Sequence, residues 1–159
     1  VGLTGGIGMG KSTATAWFRR CGFSVHDSDA AVHELYAPGG AAVGAVCDAF
    51  PSALSPSGGV DRAALSEAVV AAGREASLKR LESIVHPLVA ASRTAFIESR
   101  HSAGEWLVVI DVPLLFETFP DEAAMRKEVD VVLLVSAAAE VQRSRVLARP
   151  GMSVEKFEA

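Results

Sequence analysis

Three short runs of apolar residues divide the chain, at positions 23–26, 107–110 and 131–135. The last two are continuous rather than alternating, which is typical of parallel strands that helices cover on both faces of a sheet. A fourth apolar segment, residues 1–4, precedes a glycine-rich turn and predicts the end of a buried strand. The pattern therefore predicts an α/β protein built on a parallel sheet.

Helical periodicity fills the stretches between these runs. Two apolar sets have the spacing i, i+3, i+4 and i+7: Ala14, Trp17, Phe18 and Cys21, and Val43, Val46, Cys47 and Phe50. A longer set with the helical period consists of Leu78, Leu81, Val85, Leu88 and Val89. Turn-forming residues occupy positions 51–59, and Asp61 after them is a good N-cap for a helix through Val70. The chain between Ala30 and Glu105, which connects the second and third predicted strands, is therefore predicted to be largely helical.

A phosphate-binding motif lies between the first strand and the first helix. Residues 5–12 match the P-loop in full, with a glycine, four residues of any type, and then Gly10, Lys11 and Ser12. Its glycines let the backbone turn tightly and direct N–H groups at an anion. Lys11 would reach the β- and γ-phosphates and Ser12 would coordinate Mg²⁺. The sequence therefore predicts binding of a nucleoside triphosphate.

Composition excludes several classes of function. The chain has 159 residues, of which 50% are hydrophobic and 21% charged, so we expect one core with small appendages. We find neither an apolar run long enough for a membrane span nor a secretory signal, although the start at Val1 suggests a trimmed natural sequence. A net charge of −4 argues against a nucleic-acid surface. Cys21 and Cys47 are expected to be buried thiols, which favours the cytoplasm.

Acidic residues follow two of the predicted strands. In extended backbone Asp27 and Asp29 would point to the same side, at the sheet edge where open parallel sheets bind ligands. One could accept a proton from an acceptor hydroxyl while the other holds Mg²⁺ through water. Solvated turn residues, or an N-cap for a helix near Ala30, are an equally good interpretation. Asp111 is either a Walker-B-like acid beside Mg²⁺ or an ordinary polar residue at a strand end.

The helix after the last strand is predicted to begin near Ser136, a suitable N-cap, and to carry three arginines, Arg143, Arg145 and Arg149, before Pro150 and Gly151 end it. Such arginines often form only a solvated face. In a P-loop kinase, however, they lead into a mobile lid that closes over the nucleotide and clamps phosphate oxygens.

The remaining polar candidates are weaker on sequence alone. His33 lies one helical turn beyond Asp29 and could contact an anionic substrate, whereas His86 is more typical of a structural or surface residue. The histidines lack the spacing of a zinc site. Residues 113–117 form an apolar loop that ends in Glu117, and simple packing is the favoured interpretation of that loop.

Taken together, these motifs resemble the dephospho-CoA kinase family nearly from end to end. The resemblance is carried by the opening GLTGGIGMGKST at residues 2–13, Asp-Ser-Asp at 27–29, LESIVHPLV at 81–89, VPLLFE at 112–117, and Gln142 with Arg145 and Arg149. A P-loop is common to many activities. The segments around His86-Pro87-Leu88 and Pro113-Leu114 are much more specific, and all five occur in the family's order.

The resemblance implies a nucleoside-monophosphate-kinase-like P-loop NTPase fold and a reaction. ATP, with Mg²⁺, would phosphorylate the ribose 3′-hydroxyl of dephospho-CoA to give CoA and ADP. Residues 1–29 and 105–142 would form the nucleotide-binding core, residues 30–104 a helical insertion for the CoA moiety, and residues 143–159 the start of a lid. The oligomeric state stays open.

The resemblance also assigns roles to single residues. Asp29 would be the catalytic base, with Lys11 and Arg145 assisting the transfer, and Ser12 would hold the metal. Asp111 is added to the metal site because of its Walker-B-like position and not because of the resemblance. The nucleotide would be bound by Gly6, Ile7, Gly8, Met9, Gly10, Lys11, Ser12, Thr13 and Arg149. The acceptor would be bound by Asp29, His33, His86, Pro113, Leu114 and Glu117.

One departure and two alternatives accompany this interpretation. Members of the family continue beyond Ala159 through the rest of the lid, another strand and a terminal helix, so we expect this sequence to be part of a longer chain. Another small-molecule kinase, acting on a nucleotide, shikimate or gluconate, would share the P-loop and the lid arginines. A non-enzymatic nucleotide switch would need guanine recognition or a partner surface, and we find neither.

Overall fold

The computed structural model of the chain describes residues 1–119 and 121–158. The chain divides into two compact units, of which the first comprises Val1–Asp27 with Arg100–Ala159 and the second comprises Ser28–Ser99. We call them the P-loop unit and the helical unit. The helical unit is an insertion between the second and third strands of the P-loop unit.

A parallel sheet forms the centre of the P-loop unit. Its strands are β1 (Gly2–Thr4), β2 (Ser24–Asp27), β3 (Val108–Asp111) and β4 (Val132–Leu134), in the order β2-β3-β1-β4. Every pairing is parallel, with Leu3 opposite both Asp111 and Leu133. The inner strands β1 and β3 carry fully buried apolar side chains, Leu3 and Val109 among them. The predicted α/β fold with a parallel sheet is confirmed.

The prediction for β4 was wrong in one respect. Its continuous apolar run suggested cover on both faces, yet Leu134 is 58% exposed and Leu133 is also exposed. The physical reason is position, because β4 lies at the edge of the sheet and pairs only with β1 within the described part of the chain. An apolar run identifies a strand without showing whether that strand lies inside a sheet or at its edge.

Helices of the P-loop unit connect these strands. They are α1 (Lys11–Arg20), α6 (Leu115–Thr118), α7 (Glu122–Glu128), α8 (Ala139–Leu147) and α9 (Val154–Glu158). The apolar face predicted for α1 is only partly buried, because Trp17 is 50% exposed and the buried residue of α1 is Thr15. Trp17 instead starts a surface series of edge-to-face aromatic contacts through Phe18 and Phe23 to Trp106.

The two cysteines do not have the expected environment. Cys21 is exposed and Cys47 is half-buried, and both are free thiols. The prediction that both thiols are buried was therefore wrong. Cys21 follows the last residue of α1 at a turn, where the helical periodicity that suggested burial no longer determines which side chains face the core.

The helical unit contains α2 (Ser28–Tyr36), α3 (Val43–Ala49), a 3₁₀ turn (Pro51–Ala53), α4 (Arg62–Ala71) and most of α5 (Arg74–Ser102). Its core is one apolar cluster that includes Tyr36, Val46, Phe50, Leu65 and Val85. The Asp61 carboxylate accepts hydrogen bonds from the backbone N–H groups of Ala63 and Ala64, at 2.9 and 3.1 Å. The predicted N-cap is confirmed, and the helical character of this segment is as expected.

Among the described residues, no helix has the length and the hydropathy that crossing a bilayer requires.

Candidate active site

The P-loop connects β1 to α1 and requires glycine at two of its positions. Gly8 has φ 76° and Gly10, the residue before α1, has φ 104°, a region of backbone space that disfavours side chains. A Cβ atom on Gly8 would lie 2.6 Å from Cγ2 of Val146 in α8. The loop is therefore tightly packed, and it ends where the first-turn N–H groups of α1 have no partner within the helix. This is the geometry of an anion site.

Helix α8 and the segment just before it contact the loop through three polar groups. Gln142 Nε2 donates to Ile7 O at 2.9 Å, and the backbone N–H of Ala137 donates to the Met9 sulfur at 3.1 Å. Arg145 Nη1 lies 3.3 Å from Gly8 O and 3.5 Å from Met9 O. The structure thus brings Arg145 to the P-loop, as expected for an arginine that serves the phosphates.

The boundaries of α8 differ from the prediction. Ala138, and not Ser136, is the residue that precedes the helix, and it caps the helix without a side-chain hydrogen bond. The helix ends at Leu147, so Arg149 lies in the turn that follows and is exposed. A residue with N-cap chemistry does not fix the first turn when the preceding segment is still extended backbone.

A buried carboxylate connects β3 to α1. Asp111, the last residue of β3, is 3% exposed, and its Oδ1 atom lies 2.5 Å from the Nζ atom of Lys11. Its Oδ2 atom accepts a hydrogen bond from the Thr15 hydroxyl at 2.7 Å. Burying a carboxylate is costly unless a positive charge and hydrogen bonds compensate for it, and here both are present. The P-loop lysine therefore has a fixed partner before any phosphate arrives.

The other predicted phosphate ligands lie on the accessible side of the loop. Gly6, Ile7, Ser12 and Thr13 are exposed, with Ser12 and Thr13 in the first turn of α1. No cluster of three or more His, Cys, Asp or Glu side chains suited to a metal occurs among residues 1–119 and 121–158. A cation at this loop would therefore depend on phosphate and water oxygens in addition to protein groups.

The two aspartates after β2 have different environments. Asp27 ends β2 and lies 3.8 Å from the Arg19 guanidinium, whereas Asp29 is exposed in the first turn of α2 in the helical unit. The assumption that both lie on extended backbone was wrong, because α2 already begins at Ser28. An acid in the first turn of a helix is stabilised by the N-terminal partial charge of that helix.

A small cavity of about 240 Å³ in the helical unit brings His33 to other polar groups. His33, Tyr36, Ser55 and Arg62 are among the side chains that line it. Burial raises the pKa of the Tyr36 hydroxyl, and the positive charge of Arg62 opposes that shift. The cavity therefore combines a permanent cation with hydroxyl groups, which suits an anionic ligand. His86 is exposed on α5, as its surface interpretation predicted.

The segment after β3 is more ordered than the predicted apolar loop. Residues Leu115–Thr118 form α6, and Leu115 is fully buried while Leu114 is exposed. The Pro113 carbonyl accepts a hydrogen bond from the Thr4 hydroxyl at 3.0 Å, which attaches the segment to β1. The side chain of Glu117 lies outside the described part of the structure.

Comparison with known proteins identifies the family. The family model described as dephospho-CoA kinase matches residues 1–159. The chain belongs to the dephospho-CoA kinase family. A dephospho-CoA kinase of Paramagnetospirillum magneticum is 52% identical over 159 residues, which is 100% of this chain and 71% of that protein. A dephospho-CoA kinase of Mesorhizobium japonicum is also 52% identical, and the match covers 100% of this chain and 76% of the relative.

Solved structures share the fold of this chain. A crystal structure of a Thermus thermophilus protein superposes with a TM-score of 0.74 at 35% identity, covering 99% of this chain and 75% of that one. The dephospho-CoA kinase of Campylobacter jejuni superposes with a TM-score of 0.62 at 19% identity, over 91% of each chain. The second likeness shows the shared fold alone. The kinase interpretation of the motifs is therefore confirmed at the level of the family.

Sequence reasoning missed two residues of interest, Thr15 and Arg62. Thr15 lies outside the apolar set of α1, so the periodicity gave no reason to expect it to be buried, although a β-branched polar residue within a helix was an available signal. Arg62 directly follows the N-cap Asp61, and nothing in the sequence indicated that it lines a cavity with His33.

Proposed function

We propose that this chain transfers the γ-phosphate of ATP to the ribose 3′-hydroxyl of dephospho-CoA, giving CoA and ADP. The observation that carries the proposal is the match of the dephospho-CoA kinase family along the whole chain. The P-loop geometry supports it, because a tightly turned loop, an open helix N-terminus and Lys11 are the groups that a triphosphate needs.

On the nucleotide side, backbone N–H groups of residues 6–13 would hold the phosphates. The Lys11 ammonium has three N–H donors, so one can stay on Asp111 while the others contact the β- and γ-phosphates. Arg145 is already at the loop, and Arg149 follows it in the chain. Their planar guanidinium groups would offset the charge that spreads over the phosphoryl group during transfer.

On the acceptor side, we assign Asp29 as the base. Its carboxylate would take the proton of the 3′-hydroxyl as that oxygen forms a bond to the γ-phosphorus. The bond from the γ-phosphorus to the oxygen that bridges it to the β-phosphorus breaks, and ADP leaves with that electron pair. The exposure of Asp29 supports this role, since the carboxylate is accessible to a substrate.

Magnesium fits the donor set. The Ser12 hydroxyl and the Asp111 carboxylate are hard oxygen donors, which suit Mg²⁺ when phosphate oxygens and waters complete the coordination. Ser12 and Asp111 are the residues that would hold the ion. When bound, the cation would neutralise negative charge on the β- and γ-phosphates.

Dephospho-CoA carries phosphate groups, so its site needs cationic and polar side chains. We assign the cavity beside His33 and Arg62 to part of this acceptor because it places a permanent positive charge next to hydroxyl groups. His86, Pro113, Leu114 and Glu117 stay proposed contacts of the acceptor on the basis of the family resemblance.

We also infer a cytoplasmic location and no nucleic-acid partner. An exposed, unpaired Cys21 suits a reducing compartment, and a net charge of −4 disfavours a polyanionic partner.

The proposal is tested by ADP release from the full-length protein with ATP and one acceptor at a time. Dephospho-CoA should stimulate release strongly, while AMP, shikimate and gluconate should not. Stimulation by one of the other acceptors instead would move the chain to a different kinase specificity.

A further inference from the structure

We propose that Thr15 is a positioning residue for phosphoryl transfer, which orients the Asp111 carboxylate so that this carboxylate can hold Lys11. This inference rests on the function proposed above. It concerns a residue that lies outside the P-loop and carries none of the roles discussed so far.

Thr15 is a polar residue at a buried position of α1. Thr15 is 4% exposed and is the buried residue of α1, whose tryptophan faces solvent instead. A hydroxyl in such a place costs free energy unless it forms a hydrogen bond. A β-branched residue also lowers helix propensity slightly. Alanine would favour the helix more than threonine does, so helix stability does not explain the hydroxyl of Thr15.

The Thr15 hydroxyl has two acceptors within hydrogen-bond distance. Thr15 Oγ1 lies 2.7 Å from Asp111 Oδ2 and 3.1 Å from the carbonyl oxygen of Lys11. A hydroxyl has one proton, and a bond to a carboxylate is shorter and stronger than a bond to a neutral carbonyl. The proton therefore belongs on Asp111, and the contact with the helix carbonyl is secondary.

The bond from Thr15 restricts the rotation of the Asp111 carboxylate. Asp111 is buried, and its two oxygens have different donors, Lys11 on Oδ1 and Thr15 on Oδ2. With the hydroxyl in place, rotation of the carboxylate would break a charge-assisted bond, so the Oδ1 atom stays directed at Lys11. Without the hydroxyl, the Oδ2 atom of Asp111 lacks its donor, and the carboxylate is free to rotate toward a different donor.

The consequence reaches the phosphates through Lys11. Phosphoryl transfer depends on positioning and on fixed charges more than on covalent chemistry by the protein. If the Asp111 carboxylate rotates, the ammonium group of Lys11 is less precisely positioned in the transition state, even though ATP still binds. Loss of Thr15 should therefore lower kcat more than it raises the KM for ATP.

Two matched pairs of variants test this inference in the full-length protein. Thr15→Val keeps the shape and removes the hydroxyl, whereas Thr15→Ser keeps the hydroxyl and removes a methyl group. Thr15→Ala and Thr15→Ser differ by the hydroxyl alone, which protects the test if the valine variant fails to fold. ADP release is measured with and without dephospho-CoA, and thermal unfolding reports on stability.

We expect roughly a tenfold lower kcat for Thr15→Val and Thr15→Ala, because a hydrogen bond to a charged group is lost. Thr15→Ser should stay close to wild type. In an Asp111→Asn background the valine substitution should have little further effect on kcat, since the two residues act together. This non-additivity is a readout that simple core packing would not produce.

A purely structural role predicts the opposite ranking. Valine would then be tolerated, and serine and alanine would both lower the unfolding temperature through a cavity, with kcat unchanged. That ranking, in either the presence or the absence of an acceptor, would overturn the inference. Failure of the proposed function has a different signature, namely wild-type ADP release that dephospho-CoA does not stimulate.

Discussion

The two units of this chain present their functional residues in different ways. In the P-loop unit, Lys11, Asp111 and Arg145 are engaged by hydrogen bonds or an ion pair with other groups of the same unit. In the helical unit, Asp29, His33 and His86 lie exposed on helices around an apolar cluster. We infer from this difference that the groups to which we assign the phosphates are preorganised by the fold. The groups to which we assign the acceptor are presented to solvent, so in this proposal the substrate itself organises them.

The largest effect is expected in the helical unit. Asp29→Asn should lower kcat about a hundred- to ten-thousand-fold, because general base catalysis typically contributes that much. The dissociation constant for ATP should stay near the wild-type value, as Asp29 has no assigned phosphate contact. Steady-state kinetics and calorimetric titration with ATP check both parts.

A control for this prediction is Asp48→Asn, which neutralises an exposed acid on α3 in the same unit. Its kinetics should match those of the wild-type protein. Equal turnover of the Asp29 variant and the wild type would remove Asp29 from the mechanism.

The next largest effect is expected at the P-loop. Lys11→Ala should lower kcat about a hundred- to a thousand-fold, because a preorganised charge on the transferring phosphoryl group is lost. Unlike the Asp29 variant, it should also weaken ATP binding, and it leaves the buried Asp111 without its cation. Thermal unfolding should therefore show a lower midpoint as well.

Lys79→Ala is the matched lysine variant, since Lys79 forms only an exposed i,i+4 pair with Glu75 in the described structure. Surface pairs of this kind contribute little to stability. Unchanged kinetics and unchanged ATP binding for Lys11→Ala would contradict the phosphate assignment and with it the contrast between the two units.

The smallest effect is expected at the cavity of the helical unit. Arg62→Ala should raise the KM for dephospho-CoA roughly fivefold, because an exposed ion pair contributes at most about 1 kcal/mol. The value of kcat and the KM for ATP should change less. Rescue by Arg62→Lys, which keeps the charge, would separate electrostatics from packing.

Arg74→Ala removes another exposed arginine of the helical unit and serves as the control. If the two alanine variants have the same KM for dephospho-CoA, the cavity is not part of the acceptor site.

Much of this architecture could be predicted from the chain itself. Parallel strands, the P-loop between β1 and α1, the helical insertion and the Asp61 cap follow from local rules of periodicity and turn chemistry. These rules apply because each feature depends on neighbours in sequence. The segments around His86 and Pro113 are specific enough to have indicated the family as well.

The rest depends on contacts between distant residues, which local rules do not contain. The edge position of β4 is set by sheet order, and Trp17 is half exposed although it belongs to the predicted apolar face of α1. The early start of α2, which separates Asp29 from the strand that ends at Asp27, was missed for a related reason, because a strand can pass directly into a helix. The bond from Thr15 to Asp111 joins residues 96 positions apart.

The most direct test of the central claim follows the transferred phosphate. After incubation of the full-length protein with ATP and dephospho-CoA, ³¹P NMR of the product should show a new phosphomonoester on the ribose 3′-oxygen. A 3′-deoxy analogue of the acceptor should give no such product and no stimulation of ADP release. A phosphoester at another position, or equal ADP release with the analogue, would contradict the account.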